Sequence, residues 1–129
     1  MKTHFVRSIA IILLGLPGMS ILADETCQSP YMAKIEGQED FVYIWTLGQE
    51  GIGHEQDKLV TIDVNPDSDN YGKVVETLSV GGRNEAHHSG LSDDRKYLWA
   101  GGLDTNRIFI FDVHTDPGKP TLHKTIDDF

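Results

Sequence analysis

The feature that most constrains the fold is a short pattern that occurs twice in a chain of alternating apolar runs and turn clusters. Ile62-Asp63-Val64 precedes a segment dense in Asn, Asp, Pro and Ser at 65–70, and Phe111-Asp112-Val113 precedes a turn-rich segment at 115–120. The two copies lie 49 residues apart. A repeat near 50 residues that is built from short strands is typical of the blades of a β-propeller.

A second match extends this repeat toward the N-terminus. Trp45 matches Trp99 at a spacing of 54 residues if the glycine-rich residues 48–54 form a longer loop in the first copy. Equivalent placement in two blades favours packing between blades over the lining of a substrate channel. An ordinary small β-sandwich stays open as the alternative fold, because two similar copies alone do not distinguish it from a propeller.

The distribution of apolar residues predicts strands rather than helices. No window shows a sustained period of 3.6 residues, whereas six short runs are rich in Val, Ile, Phe, Tyr and Trp. These runs are 41–46, 59–64, 74–80, 97–100, 107–113 and 122–126. Around Ile44 and Ile110 both strand faces are apolar, which indicates sheets covered on both sides. We therefore predict an all-β fold that forms a partial β-propeller of about two blades.

The charge of the chain excludes some classes of partner. The 129 residues suit a single domain and carry a formal net charge of −9 at pH 7, with no block of basic residues. Nucleic acids and anionic membrane surfaces both attract proteins that present a positive patch. We therefore expect neither nucleic acid nor a membrane surface as a partner.

The first 23 residues have the character of a secretory leader. Lys2 and Arg7 precede an apolar run at 9–16, and Ala23 provides the small residue expected before a cleavage site. A membrane anchor is the alternative, but the run is short for a span of about 20 residues and is followed by glycine and proline. We predict a signal peptide at 1–23 and a folded domain at 24–129. Cleavage would leave 9 basic and 20 acidic residues, a net charge of −11.

Cys27 is the sole cysteine of the chain. An internal disulfide is therefore impossible, although an exported protein meets an oxidising compartment. The residues before Cys27 are not the small apolar ones that lipid attachment requires, so we expect a free thiol.

Two adjacent histidines, His87 and His88, are the strongest candidates for chemistry. Two imidazoles could hold a metal ion, but a metal site needs several convergent ligands, so two histidines cannot complete one. On a regular strand the two side chains would point to opposite faces, and only a bulge or turn, which Ser89-Gly90 permits, would direct both at one ion. Glu85 is a candidate to orient one ring. The alternative is that both histidines are structural and hydrogen-bonded.

The remaining histidines and the charged run have simpler interpretations. His54 lies in a glycine-rich loop, His114 follows a strand and His123 stands beside a lysine, so we expect all three to be solvated. Residues 92–96 mix acidic and basic side chains and are typical of a hairpin turn. No nucleophile triad or phosphate-binding glycine loop is evident.

Several runs between Cys27 and Phe129 resemble the selenium-binding protein family, whose bacterial members are copper-dependent methanethiol oxidases. The more specific of these runs are Glu85-Ala86-His87-His88-Ser89-Gly90, Asn106-Arg107-Ile108-Phe109-Ile110-Phe111-Asp112-Val113 and Pro120-Thr121-Leu122-His123-Lys124-Thr125-Ile126. Weaker matches are Cys27-Gln28-Ser29-Pro30-Tyr31, Glu39-Asp40-Phe41-Val42-Tyr43 and Leu59-Val60-Thr61-Ile62-Asp63-Val64-Asn65-Pro66. They cover only the N-terminal part of a family member, so this interpretation treats the chain as a fragment.

The resemblance implies a seven-bladed propeller and a periplasmic enzyme that converts methanethiol, oxygen and water to formaldehyde, hydrogen sulfide and hydrogen peroxide. Copper would be the cofactor, His87 and His88 metal ligands, and a small thiol and O2 the substrates. Animal members carry a cysteine linked to selenium binding where this chain has Gly72. A non-catalytic, propeller-like binding module is the alternative function, in which the histidines only brace the blade.

Overall fold

The computed structural model describes residues 37–51 and 54–127. The predicted signal peptide and Cys27 lie outside these residues. The described residues form seven strands and no helix, which confirms the all-β prediction. The strands are β1 (Phe41–Thr46), β2 (Lys58–Asp63), β3 (Val74–Ser79), β4 (Ala86–Leu91), β5 (Tyr97–Gly102), β6 (Arg107–Asp112) and β7 (Thr121–Ile126). In this part of the chain no helix has the length and apolar character needed to cross a membrane.

The strands form two antiparallel sheets, and each sheet uses one continuous stretch of chain. The first sheet has the order β1-β2-β3 and the second the order β4-β5-β6-β7. Each strand therefore pairs with its neighbour in sequence, as short turn-rich connections favour. The predicted hairpin turn at 92–96 is confirmed, since the backbone N–H of Ser92 donates to the carbonyl of Tyr97 at 2.8 Å.

Six of the seven strands lie where the apolar runs predicted them. The bounds of β1 agree to the residue, and those of the other five differ by one or two residues. The strand that the prediction omitted is β4, which contains the histidine pair. Its sequence of Ala, His, His, Ser, Gly and Leu lacks the β-branched and aromatic residues that mark strands.

The core lies between the two sheets. Its fully or nearly fully buried apolar residues are Leu59, Leu98, Ala100, Phe109, Phe111 and Val113. The Trp45 ring of the first sheet packs between Phe109 and Phe111 of the second, at centroid distances of 5.6 and 5.8 Å. Two further contacts join the sheets at one end: Tyr43 donates a hydrogen bond to the carbonyl of Pro117 at 2.8 Å, and Arg95 pairs with Glu39.

The two tryptophans are not equivalent, which corrects the match made from sequence. Phe41 pairs with Asp63 in the first sheet and Tyr97 pairs with Asp112 in the second, so Trp99 corresponds to Tyr43 rather than to Trp45. Trp45 is a core residue as expected, whereas Trp99 lies on the opposite face of the second sheet and is 42% exposed. The match is wrong by two residues, because the loop between β1 and β2 is 7 residues longer than the loop between β5 and β6, whereas a spacing of 54 allowed for 5.

Both faces of β1 and of β6 were predicted to be covered, and the structure confirms this for β6 but not for β1. On β6, Phe109, Ile110 and Phe111 are all buried, so both faces of this strand are covered. On β1, Val42 and Ile44 are 42% and 43% exposed. The outer face of the first sheet therefore presents aliphatic side chains to solvent in the described structure.

Candidate metal centre

A β-bulge on β4 determines how the two histidines are presented. Ala86 pairs with Gly102 of β5 and Ser89 pairs with Ala100, so His87 and His88 together stand opposite Gly101 alone. An extra residue of this kind bends the strand and redirects its side chains. The structure thus has the bulge that the sequence required for both rings to approach one point.

The two imidazole rings converge at the bulge. The Nδ1 atoms of His87 and His88 are 2.5 Å apart, and the ring centroids are 4.2 Å apart with an interplanar angle of 66°. Both residues are exposed. Two ring nitrogens this close share one proton, with one ring donating and the other accepting. The lone pairs therefore point toward a common position that a cation can take in place of the proton.

The opposite strand fixes the floor of the site. The carbonyl of Gly101 accepts a hydrogen bond from the indole Nε1–H of Trp45 at 2.9 Å, so the residue facing the bulge is tied to the first sheet. A Cβ added at Gly102 would lie 2.9 Å from the Cβ of Asn84 and 3.1 Å from the ring of Phe109. Only glycine allows β5 to approach the start of β4 this closely.

The histidines line a shallow depression of about 290 Å³ on the surface of the second sheet. Its other lining residues are Gly101, Gly102, Leu103, Asn106, Arg107 and Ile108. The Arg107 guanidinium gives this depression a positive charge in a protein that is acidic as a whole. An anionic ligand is therefore attracted to this part of the surface.

Glu85 does not orient a histidine ring, contrary to the role considered from sequence. Its carboxyl group is hydrogen-bonded to that of Asp104, and this bond, with the charge of Asp104, raises the pKa of Glu85 above its usual range. The nearby charge of His87 acts in the opposite direction. Glu85 also has a φ of 57°, so the backbone turns sharply immediately before β4.

The segment before β4 is held by residues that the sequence analysis did not single out. Asn84 is 1% exposed, its backbone N–H donates to the carboxylate of Asp57 at 2.8 Å, and its side-chain oxygen accepts from the Thr105 hydroxyl at 3.0 Å. A sequence signal was present, because Asn84 follows Gly81-Gly82 and both residue types commonly form turns. That signal did not indicate which distant groups would be its partners.

The donor set fits two ligands of a copper site but not a complete one. Among residues 37–51 and 54–127 no three side chains of His, Cys, Asp or Glu are grouped to hold a metal ion. Two imidazoles bound to one ion at about 2.0 Å in tetrahedral geometry would have nitrogens about 3.3 Å apart. The observed Nδ1 separation of 2.5 Å therefore needs a small rotation of the rings, which exposed side chains can make.

The other histidines of the described chain do not join this pair. His54, His114 and His123 are exposed, as predicted. His54 contacts the Lys58 ammonium at 2.9 Å, and the ring of His123 packs against Tyr97 with centroids 5.0 Å apart. Gly72 has a φ of 75°, so a residue with a side chain would be strained in this backbone.

The protein is therefore of the all-β class, with two antiparallel sheets and a candidate metal centre at the histidine pair. The family model described as 56kDa selenium binding protein (SBP56) matches residues 21–129. The chain belongs to this family, as its local runs predicted.

Relatives of this chain include bacterial proteins named methanethiol oxidase. That of Ruegeria pomeroyi is 68% identical over 118 residues, which cover 92% of this chain and 27% of the relative. That of a Hyphomicrobium species is 57% identical over 133 residues, which cover 100% of this chain and 30% of the relative. The chain thus spans less than a third of the length of these two relatives.

A solved structure in the same family supports the fold. The X-ray structure of a hypothetical selenium-binding protein from Sulfolobus tokodaii is similar with a TM-score of 0.60 and 30% sequence identity. The similarity covers 69% of this chain and 23% of that chain. The all-β fold of this chain is therefore similar to that of a protein whose structure has been solved experimentally.

Proposed function

We propose that this chain supplies part of the active site of a copper-dependent methanethiol oxidase, with His87 and His88 as two of the metal ligands. The reaction converts methanethiol, O2 and water to formaldehyde, hydrogen sulfide and hydrogen peroxide. The observation that carries the proposal is the bulge that brings two imidazole Nδ1 atoms to 2.5 Å. The names of the two bacterial relatives support the choice of substrate.

Copper matches the proposed donors and the proposed reaction. Imidazole nitrogen is a good ligand for copper, and bound copper supplies the exchange of electrons between a thiol and oxygen. A cation at this position also favours the deprotonated form of a thiol that reaches it. The remaining ligands of a complete site come from residues beyond the histidine pair.

The chain's own groups have definite tasks in this proposal. The proton shared between the two Nδ1 atoms must move to the Nε2 atom of its ring before both Nδ1 nitrogens can bind a cation, so the metal-binding form has both rings protonated at Nε2 alone. Arg107 lines the same depression and attracts the thiolate form of the substrate. The apolar part of the surface, from Leu103 and Ile108, suits the methyl group.

The proposal includes the architecture and location inferred from sequence. We propose that the two sheets are two blades of a seven-bladed propeller, and that residues 1–23 direct the protein to the periplasm. Each sheet is one local meander, and no described strand crosses to the other sheet, as successive blades require. A Greek-key sandwich would exchange strands between its sheets.

The test uses the protein expressed from its complete gene, in His87→Ala and His88→Ala variants. We expect each variant to lose most of its bound copper and most of its methanethiol-dependent oxygen uptake, because each removes one ligand. His123→Ala is the matched control, since His123 is an exposed histidine of the same sheet that contacts Tyr97 instead. Metal analysis, oxygen consumption and circular dichroism are measured on all three.

Two results would reject the proposal. Copper content and turnover equal to the parent protein in both histidine variants would exclude these residues as ligands. A folded parent protein that retains no copper and shows no thiol-dependent oxygen uptake would instead favour the non-catalytic binding module.

A further inference from the structure

Asp57 is a buried carboxylate that joins three separate segments of the chain. It is 0% exposed and lies immediately before β2. One carboxylate oxygen accepts the backbone N–H of Gly48 at 2.7 Å, and the other accepts the backbone N–H of Asn84 at 2.8 Å. Its own backbone N–H donates to the carbonyl of Gly82 at 3.0 Å. A buried charge is retained at such a position only with donors of this kind.

The contacts of Asp57 continue directly to the start of β4. The Asn84 amide donates to the carbonyl of Gly81 at 3.1 Å and accepts from Thr105 at 3.0 Å. The carbonyls of Asn84 and Glu85 accept the backbone N–H groups of Asp104 and Leu103, each at 3.1 Å. Both partners lie in the β5–β6 turn. Residues 84 and 85 are therefore held by Asp57 on one side and by the β5–β6 turn on the other.

The held segment ends where the bulge begins. Glu85 has a φ of 57°, and Ala86 makes the last regular pair with β5 before His87 and His88. A shift of one residue in the pairing of a strand sends each side chain to the other face. The contacts that hold the backbone of Asn84 in place therefore set the register of β4. This register determines which residues occupy the bulge and whether the imidazoles converge.

We propose that Asp57 and Asn84 are positioning residues for the His87–His88 pair, acting through the backbone at the start of β4. This inference rests on the proposed metal role of the pair. The Asp57 carboxylate connects the first sheet to the site in the second, so the site depends on how the two sheets are joined. The side chains of Asp57 and Asn84 are hydrogen-bonded to backbone groups and to Thr105, not to the imidazoles.

A purely structural role is the competing explanation, and the chain offers a matched control for it. Asp63 is the last residue of β2 and is 6% exposed. Its carboxylate accepts the Asn65 backbone N–H at 2.9 Å and the Ser68 hydroxyl at 2.6 Å. Its hydrogen bonds go to the turn that follows β2 rather than to the segment before β4. Asp63→Asn therefore removes a comparable buried carboxylate at the end of β2 that does not adjoin the site.

The experiment compares Asp57→Asn, Thr105→Val and Asp63→Asn in the protein from its complete gene. Thr105→Val is the milder change, because it removes only the hydroxyl that donates to Asn84. The first measurement is made without metal: nuclear Overhauser contacts between the two imidazoles and the ¹⁵N shifts of their Nδ1 atoms. The second is copper affinity by competition with a chelator, together with the Cu(II) paramagnetic resonance spectrum. Urea denaturation gives the stability of each variant.

We expect Asp57→Asn and Thr105→Val to weaken the ring contacts without metal and to lower copper affinity by roughly 10-fold or more, as changes behind metal ligands do. Asp63→Asn should lower stability and leave both measurements unchanged. Equal effects of all three variants, in proportion to lost stability, would overturn the inference. Unchanged ring contacts in Asp57→Asn and Thr105→Val would also overturn it.

The failure of the proposed function gives a different result. If neither the parent protein nor any variant binds copper, but the ring contacts are lost only in Asp57→Asn and Thr105→Val, the positioning role stands and the metal role fails. If Asp57→Asn does not fold, the comparison of Thr105→Val with Asp63→Asn decides the question in the same way.

Discussion

The ends of β2 and β6 are alike, whereas the strands beside them are not. Asp63 at the end of β2 accepts the N–H of Asn65 at 2.9 Å and the hydroxyl of Ser68 at 2.6 Å. Asp112 at the end of β6 accepts the N–H groups of His114 and Thr115, each at 2.9 Å. Each aspartate thus starts the following turn by bonding residues two or more positions ahead. The repeat seen in sequence is therefore a repeat of local structure.

The second sheet differs from the first in the strand at its edge and in the side chains on its two faces. It has β4 at one edge, and the described part of the first sheet has no strand in this position. It also receives Trp45 on its inner face, while Trp99 on its outer face is 42% exposed. The comparison teaches that the common hairpin is encoded locally, and that the site depends on contacts between distant segments.

The largest expected loss of stability tests whether the inner face of the second sheet is more buried than its outer face. Phe111 is 0% exposed and packs against Trp45, so Phe111→Ala should lower the free energy of unfolding by about 3–5 kcal/mol. In the 129-residue chain, Trp99→Ala should cost less than about 2 kcal/mol, because this side chain is 42% exposed there. Urea denaturation measures both. A greater loss for Trp99→Ala would show that the outer face is covered.

The next effect tests the close approach that supports the bulge. Gly102→Ala places a Cβ 2.9 Å from Asn84 and should destabilise the protein by about 1–3 kcal/mol through overpacking. Gly90→Ala, also in the β4–β5 pair, is the control, because nothing lies within 4 Å of its added Cβ. Thermal melts compare the two. Equal tolerance of both changes would mean that β5 can move away from Asn84.

A smaller effect tests the link between the sheets at Tyr43. Tyr43→Phe removes the hydrogen bond to Pro117 and should cost about 0.5–1 kcal/mol at neutral pH. Burial, with the charges of Glu39 and Asp116, raises the pKa of Tyr43 from 10.0 to about 12. The folded state therefore favours the neutral phenol, and this stability is present below pH 10 and is lost as the pH rises toward 12.

Denaturation curves between pH 9 and pH 12 check this result against the Tyr43→Phe variant. The parent should lose stability more steeply across the upper part of this range. Parallel curves for the two proteins would contradict the raised pKa of Tyr43.

The smallest effect tests the equivalence of the two aspartate turns. Hydrogen bonds from Thr115 and from the His114 backbone lower the pKa of Asp112 from 3.8 to about 2. The stability from its carboxylate is therefore present above pH 4 and is lost as the pH falls from about 4 toward 2. Asp112→Asn should remove this acid dependence. A ¹³C titration of the carboxyl group gives its midpoint, and a midpoint near 3.8 would contradict the prediction.

The local parts of the fold were predictable, and the path through β4 was not. The bounds of β1 and the turn at 92–96 follow from β-branched, aromatic and turn-forming residues, which act over a few positions. The two histidines were also singled out from sequence. Strand β4 was missed because a bulged strand of His, Ser and Gly has neither the composition nor the alternation of a regular strand.

The sequence by itself determined the strand runs, the aspartate turns and the identity of the candidate ligands, because each depends on neighbouring residues. Only the tertiary structure decided that His87 and His88 share the bulge opposite Gly101, that Asp57 holds Asn84 and that Trp45 rather than Trp99 is in the core. These outcomes join residues 13 or more positions apart in the chain. Pairing at that distance is set by the packing of the two sheets, which no local pattern specifies.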